Sequence, residues 1–282
     1  MTAGVAIVTD STSYLPAELV EAHAITVVPL QVVIGGEPHD EGGDATSATV
    51  AEALRSWTPV STSRPSPGAF LDVYERLAAE GCTGIVSVHL SADMSGTYES
   101  ALLAARDAPV PTRVVDSRSL GMGLGFAAIT AAETAQHGAS VDDVAAAAEK
   151  RAAATTAVFY VDTLEYLRRG GRIGAGAALL GSALAVKPLL HLVDGRIEPL
   201  EKVRTSSRAI GRLEEIAVAA AAHAPVVDIA VAHLANPDRA QQLADRLRGR
   251  LPHLGALHIG EVGAVVGAHV GPGMLAVVVA PR

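Results

Sequence analysis

Val5-Ala6-Ile7-Val8-Thr9-Asp10-Ser11-Thr12-Ser13 is a short apolar run that passes directly into polar, mostly hydroxyl-bearing residues. The apolar part has the length and β-branched character of a buried strand. The same ending recurs along the chain. Ile85-Val86-Ser87-Val88-His89-Leu90 runs into Ser91 and then Ser95-Gly96-Thr97, Val114-Val115 into Asp116-Ser117, and Val161 into Asp162-Thr163. In open α/β sheets, ligands bind outside the carboxyl ends of the strands. Helix N-termini also bring free N–H groups there, which suits an anion. The alternative use of such residues is local: Ser, Thr and Asp after a strand cap the next helix or brace a turn. It is their recurrence that points to a site.

Outward from that stretch, strand-like and helical runs alternate, the pattern of a largely parallel α/β architecture. Strands are expected at 5–8, 26–34, 84–89, 113–115, 158–161, 228–233 and 274–280. Helices are expected at 67–79, 97–105, 141–154, 206–222 and 237–248. Ser66-Pro67 and Asn236-Pro237 each put an N-cap residue before a proline at the first helical position. The best place for a division follows the alanine-rich helix, so two α/β domains are expected, 1–155 and 156–282.

Composition narrows the function. With 282 residues and a net charge of −8, the chain lacks the basic face of a general nucleic-acid binder or a polybasic membrane-surface protein. Cys82 is the only cysteine, which excludes an internal disulfide and a cysteine metal site and fits a cytoplasmic location. No histidine–carboxylate spacing resembles a zinc site, so neither a metal nor a cofactor is expected. Gly121, Gly123 and Gly125 lack the dinucleotide spacing. The longest apolar stretch, Ile173 to Val186, is too short and too rich in Gly and Ala for a membrane span. Half the residues are hydrophobic but only 3% are aromatic, so Ala, Val and Leu must form the core and any apolar cavity wall.

Seven ordered motifs then become specific. They are Asp10-Ser11-Thr12-Ser13-Tyr14-Leu15-Pro16, Ser61-Thr62-Ser63-Arg64-Pro65-Ser66-Pro67-Gly68, Leu90-Ser91-Ala92-Asp93-Met94-Ser95-Gly96-Thr97-Tyr98, Asp116-Ser117-Arg118-Ser119 with Gly121-Met122-Gly123, Thr163 through Gly174, Lys187-Pro188-Leu189-Leu190, and Gly267-Ala268-His269-Val270-Gly271-Pro272-Gly273. Together they resemble the DegV family over nearly the whole chain. Arg64, where glutamine is common in the family, and Ala92-Asp93-Met94 are the departures.

The resemblance implies two α/β domains with a ligand tunnel between them. It implies the fatty-acid-binding subunit of a bacterial fatty acid kinase, which holds an acid such as palmitate, stearate or oleate while a separate kinase subunit makes the acyl phosphate. It further implies that Thr62 and Ser95 hydrogen-bond the carboxylate with His269 beside it, that Arg172 lies near the mouth and helps engage the kinase, and that no residue of this chain is catalytic. Burying about 14 methylenes at about 0.8 kcal/mol each makes the tail dominate affinity. The head group then needs only enough polar contacts to avoid an unpaired buried anion.

Each residue also has a plainer reading. Thr62 suits bracing the Pro65–Pro67 turn, Ser95 an N-cap, His269 a structural histidine, and Arg168 and Arg169 a solvated helix end. Two other functions stay open: a carrier or sensor of another amphipathic anion, and a serine-dependent acyl hydrolase using Ser95 and His269. Ser95 lacks the nucleophile-elbow pattern.

Overall fold

The computed structural model describes residues 4–43, 45–173 and 187–282. Met1–Ala3, the apolar run beyond Ile173, and Gly174 of the fifth motif lie outside the described residues.

The chain divides into two compact units. One comprises residues 1–31 and 63–154, the other residues 32–62 and 155–282. The division between 154 and 155 adjoins the one read from the sequence. Residues 32–62, placed by that reading in the first domain, group with the second unit. Their reason is packing: Val32, Ala45 and Val50 bury their side chains against Ala264 and Ala268.

The first unit is built on a four-stranded sheet in the order Thr26–Val28, Val5–Asp10, Gly84–His89, Thr112–Asp116, with every neighbour parallel. The central strand Gly84–His89 is buried along its whole length, as parallel sheets covered on both faces require. One side packs Phe70, Tyr74, Ala101 and Ala104 against Val8 and Ile85. The helix Pro67–Ala79 begins as its sequence signals: Ser66 accepts a hydrogen bond from the Ala69 N–H, 3.2 Å, ahead of Pro67. The helix Met122–Gln136, absent from the sequence-based expectations, is buried at most positions. It is apolar nearly all round, and such a helix has no amphipathic period to detect.

At the centre of this unit the strand ends are locked by a buried polar network. Asp10 Oδ1 accepts from the Thr12 N–H and hydroxyl. Asp10 Oδ2 accepts from the Leu90 N–H at 3.0 Å and lies 3.0 Å from His89 Nδ1. His89 Nε2 is 2.7 Å from Ser87 Oγ, to which the Tyr74 hydroxyl donates at 2.9 Å. Burial pushes the Tyr74 hydroxyl up to about 12. Ser87, His89 and Asp10 thus touch in the sequence of a nucleophile, base and acid, but all three are 0% exposed. No substrate reaches them; the network fixes backbone.

The second unit departs from the parallel expectation. Its six-stranded sheet runs Arg196–Val203, Lys187–Val193, Thr156–Tyr160, Leu275–Pro281, Val227–His233, Leu254–Glu261, and only the last pair is parallel. Two local features produce this. Asp194-Gly195, both with positive φ (47° and 82°), makes the tight turn that folds Arg196–Val203 back on Lys187–Val193. The C-terminal strand enters antiparallel between Thr156–Tyr160 and Val227–His233. Tyr160, Leu213, Ile229, Leu243 and Val277 centre its core. The run read as one strand over 26–34 is two, Thr26–Val28 and Gln31–Ile34, in different sheets. Pro29, lacking an N–H, interrupts the ladder between them. No described helix is long and apolar enough to cross a membrane.

Candidate functional site

The second unit gathers three of the residues singled out in the sequence around one cavity. His269 is the sixth residue of the helix Ala264–Val270. Glu41 Oε1 accepts from the Val265 N–H in the first turn of that helix, 2.8 Å, and Ser47 Oγ donates to Val262 O just before it, 2.8 Å. The segment carrying Glu41 and Ser47 continues through the strand Val60–Ser63, which carries Thr62. The same clamp therefore sets both partners of the central contact, Thr62 Oγ1 to His269 Nε2, 2.9 Å.

Two glycines of the motifs let the next element close in. A Cβ on Gly170 would fall 2.1 Å from His269 Nδ1, and one on Gly271 would fall 2.2 Å from the Tyr166 ring. Gly271 also holds φ +73°, which a side chain rarely adopts. The short helix Glu165–Arg169 and the turn after it thereby lie against His269. Arg172 bonds back to Gly170 O from that turn. Thr62, His269 and Arg172, with Leu54, Trp57 and Tyr166, line a cavity of about 430 Å³.

Electrostatics fix the state of the imidazole. Burial, and then the positive charge of Arg172, push His269 down to about 4. The ring is neutral at pH 7 and carries one proton. Among the described residues Nδ1 is buried without a hydrogen-bonding partner. An unpaired buried N–H is costlier than an unpaired lone pair, so the proton sits on Nε2 and is donated to Thr62 Oγ1. The Thr62 O–H is then free to donate to an anion in the cavity. Between the ordinary 6.5 and about 4, the unfolded chain binds a proton that the folded chain does not. Stability from this group is complete above pH 6.5 and falls as pH drops through that window, by about 3 kcal/mol in all. Urea unfolding of the parent and His269→Asn between pH 7 and 4 checks this: the stability of the parent relative to the variant should decline with falling pH, and a constant difference would refute the neutral buried imidazole.

Ser95 belongs to the first unit, on the turn before the helix Thr97–Ala105. Its hydroxyl lies 2.9 Å from Thr97 Oγ1 and accepts from the Thr97 N–H, 3.3 Å. The N-cap position of this helix is Gly96, which has no side-chain cap, so Ser95 does not take the N-cap place expected for it and instead braces the turn ahead of the helix. Other strand-end residues serve turns in the same way: Ser91 Oγ accepts from Asp93 N, Asp116 Oδ1 from Arg118 N, and Thr163 Oγ1 from Glu165 N. Arg168 and Arg169 occupy the last turn of their helix, where cations meet the favourable end of the dipole. Arg169 pairs with Glu165 and lies over the Trp57 ring, 5.0 Å from its centroid. Glu41 and Trp57 had no signal in the sequence, because their roles come from elements remote in the chain. The role of Gly170 was hidden inside a recognised motif. Among the described residues no group of His, Cys, Asp or Glu is arranged to hold a metal.

Residues 4–282 match the family described as "Uncharacterised protein, DegV family". The chain belongs to the DegV family. A DegV domain-containing protein of Streptomyces coelicolor is 62% identical, with 100% of each chain covered. Among solved structures, the DegV family protein of Thermus thermophilus, described by its fatty acid binding, is 33% identical with a TM-score of 0.93, covering 99% of this chain and 100% of the other. DegV of Bacillus subtilis, described as a fatty acid binding protein, is 33% identical with a TM-score of 0.90 and full coverage of both chains. The DegV motif around His269 thus acquires a physical reading: Gly271, two residues after the imidazole, admits the Tyr166 ring, and Gly267, two before it, packs on Leu234.

Proposed function

We propose that this DegV chain binds one long-chain fatty acid in a buried apolar tunnel and presents its carboxylate, in the cytoplasm, to a separate ATP-using fatty acid kinase, without catalysing a reaction by itself. The observation that carries the reading is the neutral His269, hydrogen-bonded to Thr62 with Arg172 in the same cavity. The Thr62 O–H, oriented by the imidazole N–H donated to its oxygen, is a neutral donor that holds a carboxylate without the tight bidentate clamp that would draw off its electron density. The oxygen then remains nucleophilic. In the transfer it attacks the γ-phosphorus in line, the bond from that phosphorus to the bridging oxygen breaks, and ADP leaves. Ser95 is assigned to the carboxylate by the family resemblance, and Arg172 to the approach of the kinase. The relatives described as fatty acid binding support the choice of ligand. The two alternatives from the sequence, another amphipathic anion and an acyl hydrolase, receive no comparable support.

Chloroform extracts of the purified protein, read by mass spectrometry, test this. Free fatty acid at close to one mole per mole of protein is expected. An extract containing another amphiphile, or protein that hydrolyses acyl esters unaided, would overturn it.

A further inference from the structure

Lys187 opens the motif Lys187-Pro188-Leu189-Leu190, to which the fatty-acid reading assigns no role. Its Nζ donates to Asp162 Oδ1 at 2.8 Å and lies 3.4 Å from the backbone oxygen of the same residue. The Tyr160 hydroxyl, with Ser206 Oγ 2.9 Å away, donates to the same carboxylate oxygen. The other oxygen, Oδ2, faces the turn after His269: a Cβ on Gly273 would fall 2.2 Å from it.

This is one of three close approaches between two stretches of the second unit. Asp162 meets Gly273, Tyr166 meets Gly271, and Gly170 meets His269. Along the first stretch the contacts fall four residues apart, the spacing of one helix face, and Glu165–Arg169 is helical. Along the second they fall two apart and in reverse order, so the stretches run antiparallel. Each approach has a glycine on one side, and a Cβ there would collide.

We infer that Lys187 is a positioning residue for the head-group site: with Asp162 it latches these two stretches together and keeps Gly170 closed on the imidazole that donates to Thr62. This deepens the fatty-acid reading and rests on it for what the imidazole serves. The Asp162 and Lys187 side chains are 44% and 29% exposed, so water competes with the ion pair. Without the ammonium, the carboxylate is better solvated turned outward than held against Gly273. The approach then opens, and water reaches the buried face of His269.

The test follows the His269 ring of the purified full chain by ¹⁵N NMR against pH, and palmitate binding separately. Lys187→Met should raise the His269 midpoint from about 4 by about half a pH unit, because a hydrated ring is easier to protonate. It should weaken palmitate about fivefold, the scale of one partly exposed ion pair. The midpoint shift should persist in 1 M NaCl, where the Debye length is about 3 Å, since it comes from packing and not from charge acting through space. Adding Asp162→Asn to Lys187→Met removes the stranded carboxylate and should recover most of both losses, as should Lys187→Arg. Should Lys187→Met fail to fold, Lys187→Gln, which keeps a donor without the charge, takes its place. An unmoved midpoint, a shift that vanishes in 1 M salt, or a double variant no better than the single one overturns the latch. If the parent takes up no palmitate, the fatty-acid reading fails, while the His269 titration still decides for or against the latch.

Discussion

Thr62→Val combined with Ser95→Ala will release fatty acid about 100-fold more readily than the parent protein. A hydrogen bond to a charged group contributes roughly 1.5–3 kcal/mol, and each 1.4 kcal/mol is tenfold in affinity, so losing two donors sets that scale. Valine keeps the shape of Thr62 and removes only the hydroxyl. The change also strips His269 Nε2 of the acceptor now 2.9 Å away. Thr62→Ser, which restores an oxygen there, should recover most of the loss. Equilibrium binding of palmitate by the single and double variants, with circular dichroism to show an intact fold, measures the effect. Undiminished retention in the double variant removes both hydroxyls from the carboxylate site.

The second large effect concerns the buried network of the first unit. Asp10→Ala should cost about 4 kcal/mol or more, a substantial part of the 5–15 kcal/mol that holds a typical domain folded. The carboxylate is wholly buried and joins the Thr12 N–H and hydroxyl, the Leu90 N–H and the His89 imidazole. Alanine leaves those donors facing a void, and each buried orphan costs about 1–3 kcal/mol. Chemical denaturation compared with the parent reads the loss directly. A drop below about 1 kcal/mol would mean that the network adjusts, and that Asp10 is not its keystone.

Legibility differed from element to element for physical reasons. The strand Gly84–His89 was plain in the sequence because burial on both faces demands an unbroken apolar run. The helix Pro67–Ala79 was plain because Ser66 and Pro67 act within one turn of the chain. The helix Met122–Gln136 was hidden because burial on every side erases the period that reveals a helix. The sheet of the second unit is mostly antiparallel where alternating strands and helices suggested a parallel one. Its Asp194-Gly195 turn is a local signal of the reversal, whereas the antiparallel entry of Leu275–Pro281 depends on strands more than forty residues away in the chain.

The candidate site divides along the same line. Residue types and ordered motifs alone determined the family, the α/β class and the names Thr62, Ser95, Arg172 and His269, because these are properties of short stretches read one at a time. Only the tertiary structure decided that Thr62 and His269 touch across 207 positions of chain, that Glu41 holds the helix carrying the imidazole, and that Asp162 rests on Gly273. It also decided the charge on His269, since burial and a neighbouring guanidinium belong to three-dimensional surroundings and leave no mark on the letters beside a residue.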